Sequence, residues 1–247
     1  MTRGRLVGLL EQRHSLAVET AAVVVLYALY ETTRGLVVAD PTAAVRHARS
    51  IVSLERTLHV FVEPNVQSAA RTLPGLLGTL GLLYLCLHLV GTGAYLLWLH
   101  QRRPGVFPTV RTALLLASGI ALIGYLVFPA APPRLAGVGV ADTIARDGFD
   151  LNHGLVSSLY NPFAAVPSIH ICYALIVGTS LVRHGGRRAL RVLGVVYPLL
   201  VLLVIVATGN HFFFDAIAGA SVALFAMGFV GRARGSARMP SAVPAEA

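Results

Sequence analysis

Residues 112–133 contain no Asp, Glu, Lys or Arg, and an uncharged apolar run of that length restricts the fold more than any other feature of the chain. A membrane-crossing helix needs about 20 mostly apolar residues, and it satisfies its backbone polar groups internally where water is absent. The run has companions. Residues 76–99 are interrupted only by His88, and residues 192–214 and 216–231 are parted only by Asp215. Residues 154–182 again lack all four charged types, their first part reading as loop. A further run, residues 16–38, contains or adjoins Glu19, Glu31 and Arg34. Glu31 and Arg34 stand three apart and can pair on one helix face. This run is too long for a removable signal peptide and lacks a small-residue cleavage pattern, so it reads as an anchor. The expected fold class is all-α: a polytopic integral membrane protein with six transmembrane helices.

Between the first two spans, residues 50–63 place Ile51, Leu54, Leu58 and Phe61 at helical spacing, with Glu55, Arg56, His59 and Glu63 largely off that stripe. The pattern predicts a short helix lying in the membrane interface. Pro64 and Pro74 bracket a polar connection after it. The domain division that follows is a cytoplasmic segment at residues 1–15, one six-helix membrane domain at 16–231 and a flexible cytoplasmic tail at 232–247. Cys86 and Cys172 lie in apolar runs without a partner at disulfide or zinc spacing and read as small packing residues.

Only 13% of residues are charged, about half the share in an ordinary soluble domain, and 20 basic residues face 11 acidic ones. Every basic residue is arginine, which excludes a P-loop or Schiff-base lysine. A net charge of +9 could point to nucleic acid. The arginines instead follow the loops: with the N-terminus inside, thirteen fall in cytoplasmic pieces and seven outside, where most of the acids also lie. That bias predicts a multi-pass cell-membrane protein with both termini cytoplasmic, and no nucleic-acid partner.

Three places break the apolar pattern: Pro129-Ala-Ala-Pro-Pro-Arg134, Asn161-Pro-Phe-Ala-Ala-Val-Pro-Ser-Ile-His170 and Thr208-Gly-Asn-His211-Phe-Phe-Phe-Asp215. In the predicted topology all three lie at the outer membrane face. His211 and Asp215 are four apart and on a helix would share a face. The carboxylate can then accept the Nδ1 proton and leave Nε2 as nucleophile or base. Pro167-Ser168 reads as the first turn of a helix, whose free N–H groups favour an anion. His170 stands close behind as proton donor, and Arg134 can hold phosphate oxygens bidentately. Together they suit phosphoryl transfer through a phosphohistidine. A metal held by two histidines and a carboxylate is the competing arrangement, but the arginine and the helix start favour an anionic guest, so no metal is expected.

These residues resemble the three signatures of the type-2 phosphatidic acid phosphatase superfamily, nearest to its branch containing the inositol phosphorylceramide synthases. The likeness runs from about Ser53-Leu-Glu-Arg56 to Gly219. It implies that His211 attacks phosphorus, Asp215 orients it and His170 protonates the leaving oxygen, without metal or cofactor. The expected substrate-binding residues are Arg134, Ser168 and Asn210. Two cations of the usual signatures are missing, because Val127 stands where the first has lysine and Ile205 where the third has arginine. A site so depleted fits a phosphodiester donor better than a dianionic monoester.

The expected partners are a lipid phosphate, a water or alcohol acceptor and the bilayer, with the oligomeric state open. The activity that the resemblance implies is that of a lipid phosphatase or an inositolphosphotransferase-like enzyme. An alternative is a transporter or flippase of lipid-linked molecules, in which histidines relay protons and His88 is the midplane candidate. Another is a scaffold, in which Gly75, Gly78 and Gly81 merely pack helices. His88 and His100 otherwise read as helix-to-helix hydrogen bonds.

Overall fold

Helices make up the regular structure in the computed structural model, which describes residues 18, 21, 24, 25, 27–34, 40–142 and 161–236. Residues 27–34 are helical (α1). Asp40 accepts the Thr42 N–H at 2.9 Å and so caps α2 (Pro41–Thr57). Then come α3 (Glu63–Arg71), α4 (Leu76–Cys86) and α5 (Thr92–Arg102), the last two joined by a π-helical turn at Leu87–Gly91. Further along the described residues come α6 (Phe107–Val127), a short 3-10 turn at Pro133–Leu135, α7 (Ile169–His184), α8 (Arg188–Ala207) and α9 (Phe213–Ser236). Among the described residues there is no β-strand, only an isolated parallel bridge between Ala130 and Ala164.

Among the described residues, four stretches are long and apolar enough to cross a membrane: Leu76–Arg102, Phe107–Val127, Arg188–Ala207 and Phe213–Arg234. Only 28% to 39% of each is buried inside the protein, and the outward faces still present large apolar side chains such as Val127, Leu199, Leu224 and Phe229. A helix that is apolar on its exposed side as well as its packed side is solvated by lipid. The apolar helix α7 is shorter, 16 residues. It packs on α6, α8 and α9 and buries Ile169, Cys172, Ile176 and Leu181 among them. Gly178 and Gly194 let α7 and α8 touch backbone to backbone: a Cβ on either would overlap the other's carbonyl oxygen.

The described part of the first expected span is helical, and the rest of residues 16–38 lies outside the described residues, as do residues 1–15. The helix α9 runs on to Ser236, into the expected tail, whose residues 237–247 lie outside as well. The third span ends at Val127, before the proline run, and opens at Phe107 with Pro108 in its first turn, where the missing N–H does no harm.

The segment around residue 55 differs most from its expectation. The helix starts nine residues earlier than Ser50 and turns a different stripe inward: Ala44, Ala48, Ile51, Val52 and Glu55 are buried. Leu54 and Leu58, on the stripe expected to face the membrane interface, are 43% and 60% exposed, while Glu55 and Glu63, read largely off that stripe, are 2% and 0% exposed. The polar connection expected between Pro64 and Pro74 is largely the helix α3, with Pro64 in its first turn. The two glutamates go inside because backbone N–H donors await them there.

Candidate active site

The turn between α8 and α9 carries His211. Gly209 makes it possible, with φ +70 and no room for a side chain: a Cβ would come 2.5 Å from Val140 Cγ1. His211 therefore precedes α9 and shares no helix face with Asp215, which lies in the first turn of α9. The pair forms all the same, because the start of a helix directs its side chains back over the preceding residues. Nδ1 of His211 donates to Asp215 Oδ2 at 3.2 Å, and the same oxygen accepts the Phe212 N–H at 2.9 Å. With Nδ1 so engaged, Nε2 is left with its lone pair.

The next two amides meet two further carboxylates. Glu63 Oε1 accepts the Phe213 N–H at 2.8 Å and Glu55 Oε1 accepts the Phe214 N–H at 2.7 Å. Three consecutive N–H groups at the start of α9 are thus each taken by a buried carboxylate, satisfying donors that a helix leaves orphaned. Burial pushes the Glu55 carboxyl up to about 8; the adjoining negative charge of Glu63 adds to this and the Phe214 N–H opposes it. Sequence reasoning missed both glutamates. The signal for Glu55 was its place on the Ala44–Ala48–Ile51 stripe.

His170 is the second residue of α7. Ser168 precedes it as N-cap, fully buried, with no side-chain cap bond and its own N–H donated to the Asp215 carbonyl at 3.0 Å. That bond and Gly219, where a Cβ would overlap the Ser168 carbonyl, press the start of α7 against α9. Tyr125 of α6 donates to the Pro167 carbonyl at 3.1 Å from behind. The His170 ring stacks on Tyr84 with centroids 4.4 Å apart, lies 4.7 Å from His88 and 5.5 Å from His211. The π-helical turn between α4 and α5 is what carries His88, whose ring also packs at 4.7 Å on Tyr173.

A small cleft of about 10 Å³, the room of one water, separates the two catalytic candidates. His170, His211, Asn210, Asn161, Tyr84 and Arg34 are among its walls. Arg134 is not. Its side chain is 1% exposed, Nη1 donates to Asp142 at 2.6 Å, Nε donates to Asn210 Oδ1 at 3.0 Å, and its own N–H donates to the Gly209 carbonyl at 3.0 Å. Arg134 thereby ties the proline-rich loop to the His211 turn and sets Asn210. Ser168 too stands outside the lining. The elements α2 and α3 hold the same loops from the other side: Ala131 donates its N–H to the Ala44 carbonyl, and Gln67 brackets Ala141 with two hydrogen bonds of 2.9 and 2.8 Å.

A second, far larger space of about 510 Å³ lies beside the cleft. Its walls are almost wholly apolar, from His88 and Tyr173 past Leu96 and Leu114 to His100 and Arg111. The pair of His170 and His211 lies at the small cleft, which is the candidate reaction centre. Among the described residues no three His, Cys, Asp or Glu side chains gather as metal ligands.

Compared with known proteins, residues 49–229 match a family model described as PAP2 superfamily. No curated protein and no solved structure matches the chain.

Proposed function

The chain belongs to the PAP2 superfamily, and from that membership we propose a membrane enzyme that transfers the phosphoryl group of a lipid phosphate or phosphodiester through His211. The observation that carries the proposal is one cleft shared by His170 and an Asp215-paired His211. In the first step His211 Nε2 attacks phosphorus, the N–P bond forms as the ester P–O bond breaks, and His170 gives its proton to the departing oxygen. In the second step water or an alcohol attacks, the N–P bond breaks and His170 takes the incoming proton. No metal ion or cofactor enters this scheme.

The two helix starts at the site support a place for the phosphate. The N–H groups at the start of α9 are occupied by carboxylates, whereas among the described residues no carboxylate bonds the first-turn amides of α7. An anion therefore belongs at α7, beside His170. The 510 Å³ apolar cavity offers lipid chains room within reach of His170. A donor with one phosphate charge, handed to a polyol as in an inositolphosphotransferase, suits a site whose Val127 and Ile205 replace cations. The arginine bias supports a site on the outer side of the cell membrane, with both termini inside.

The test is a panel of radiolabelled lipid phosphates and phosphodiesters incubated with purified wild type and His211→Ala, with and without inositol, and products resolved by chromatography. Wild type should release or transfer the label and His211→Ala should do neither. Full turnover by His211→Ala ends the mechanism, and a product that appears only with inositol assigns the transferase. For the transporter alternative no observation speaks, since His88 packs against His170 instead of forming a polar site of its own.

A further inference from the structure

The cleft between His170 and His211 must neutralise phosphate charge, yet the positions expected to supply cations cannot. Val127 is 76% exposed on the outward face of α6, and Ile205 is 0% exposed in the apolar packing of α8. Arg134 is turned to Asp142 and Asn210 and does not line the cleft. Among the described lining residues, one side chain carries a permanent positive charge: Arg34, at the end of α1.

We infer that Arg34 is the phosphate-binding cation of this site, supplied by the first helix from outside the family-matched residues 49–229. The inference rests on the phosphoryl-transfer reading and names a substrate contact for it. Three features place Arg34 for the task. Its side chain is only 13% exposed, so its charge is little screened by water. Its Nη1 is held at 3.1 Å by Glu31, one turn earlier, and Asn161, itself a cleft residue, donates to the Arg34 carbonyl at 3.2 Å. The side chain shares the cleft wall with His170 and His211. A planar, permanently charged fork suits the oxygens of a phosphate. An arginine that served only to neutralise Glu31 would have no need of the cleft wall.

Orthovanadate, a phosphate-shaped anion, tests this without any lipid. Its dissociation constant is measured by calorimetry on purified full-length protein in detergent for wild type, Arg34→Gln, Arg34→Lys and Glu31→Gln, each checked for folding by thermal unfolding. The expected result is at least tenfold weaker binding in Arg34→Gln, substantial recovery in Arg34→Lys, and binding in Glu31→Gln no weaker than wild type. Wild-type affinity in Arg34→Gln overturns the assignment. So does an equal loss in Glu31→Gln, which would make Arg34 a structural ion-pair partner, and so does failure of wild type to bind vanadate. Where Arg34→Gln does not fold, Arg34→Met keeps the apolar stem without the charge and carries the same comparison. Turnover of phosphatidic acid by His211→Ala is measured alongside. If that variant remains active the phosphoryl-transfer reading fails, while the vanadate constants still decide the role of Arg34.

Discussion

Two helices begin at the same cleft, and their first turns are treated in opposite ways. At α9 the amides of Phe212, Phe213 and Phe214 each meet a buried carboxylate, from Asp215, Glu63 and Glu55. At α7 Ser168 offers no side-chain cap. Both starts carry the same partial positive charge, so the difference lies in what each helix is for. The α9 start is an anchor: its amides are consumed in fixing the turn that bears His211. The α7 start carries no such carboxylate among the described residues, and under the proposed function it receives the anion of the substrate.

The sharpest way to break this contrast is Asp215→Asn. It keeps the shape of the anchor but lets the histidine adopt the wrong tautomer. In the Ser-His-Asp hydrolases the equivalent change lowers kcat by about 10⁴-fold, and a loss of that order is expected here in lipid-phosphate turnover, with the variant still folded by thermal unfolding. A variant within tenfold of wild type would detach Asp215 from the chemistry. Next comes Gly219→Ala, which drives a methyl group into the Ser168 carbonyl and parts the two helix starts. A destabilisation of about 3 kcal/mol is expected in detergent unfolding, together with loss of turnover. An unchanged melting temperature would show that the starts need not touch.

Glu63→Ala strands the part-buried Phe213 N–H, at about 2 kcal/mol, whereas Glu63→Gln retains an acceptor oxygen and should lose less. Equal losses would mean that the charge matters and the hydrogen bond does not. The smallest effect is a pH dependence. Glu55 ordinarily titrates near 4.5 and here near 8, so the folded protein binds its proton more tightly than the unfolded chain does. The stability it contributes is complete below about 4.5 and is lost as pH rises toward 8 and slightly beyond. Melting temperatures recorded from pH 5 to 9 should fall in wild type and fall less in Glu55→Gln; parallel curves would remove Glu55 from the account.

The candidate centre was legible in the sequence for a physical reason. His170, His211 and Asp215 interrupt apolar runs where a polar residue is expensive, so their presence demands a use. The all-helical architecture was legible on the same ground. What surrounds the centre was not. Glu55 and Glu63 find their partners about 150 residues later in the chain, and no local spacing reports that. Glu55 was read as lying off the apolar stripe, and it is buried because the helix packs on its alanines, with Leu54 and Leu58 left outward. Arg34 was read through its neighbour Glu31, and its place in the cleft wall depends on Asn161, far along the chain. Arg134 presents the reverse case: the sequence offered it to phosphate, and the fold directs its Nε and Nη1 to Asn210 and Asp142.

The brevity of α7 has a consequence for the bilayer itself. Sixteen residues rise about 24 Å, against a hydrocarbon layer of about 30 Å. If its far end reaches the opposite boundary, the end bearing His170 stops about 6 Å short of the headgroup level. A lipid would have to sink its phosphate below its neighbours to meet the histidines, and a thicker membrane would deepen that descent. Membrane thickness becomes a variable of the reaction, one that a series of bilayers of increasing acyl length can turn.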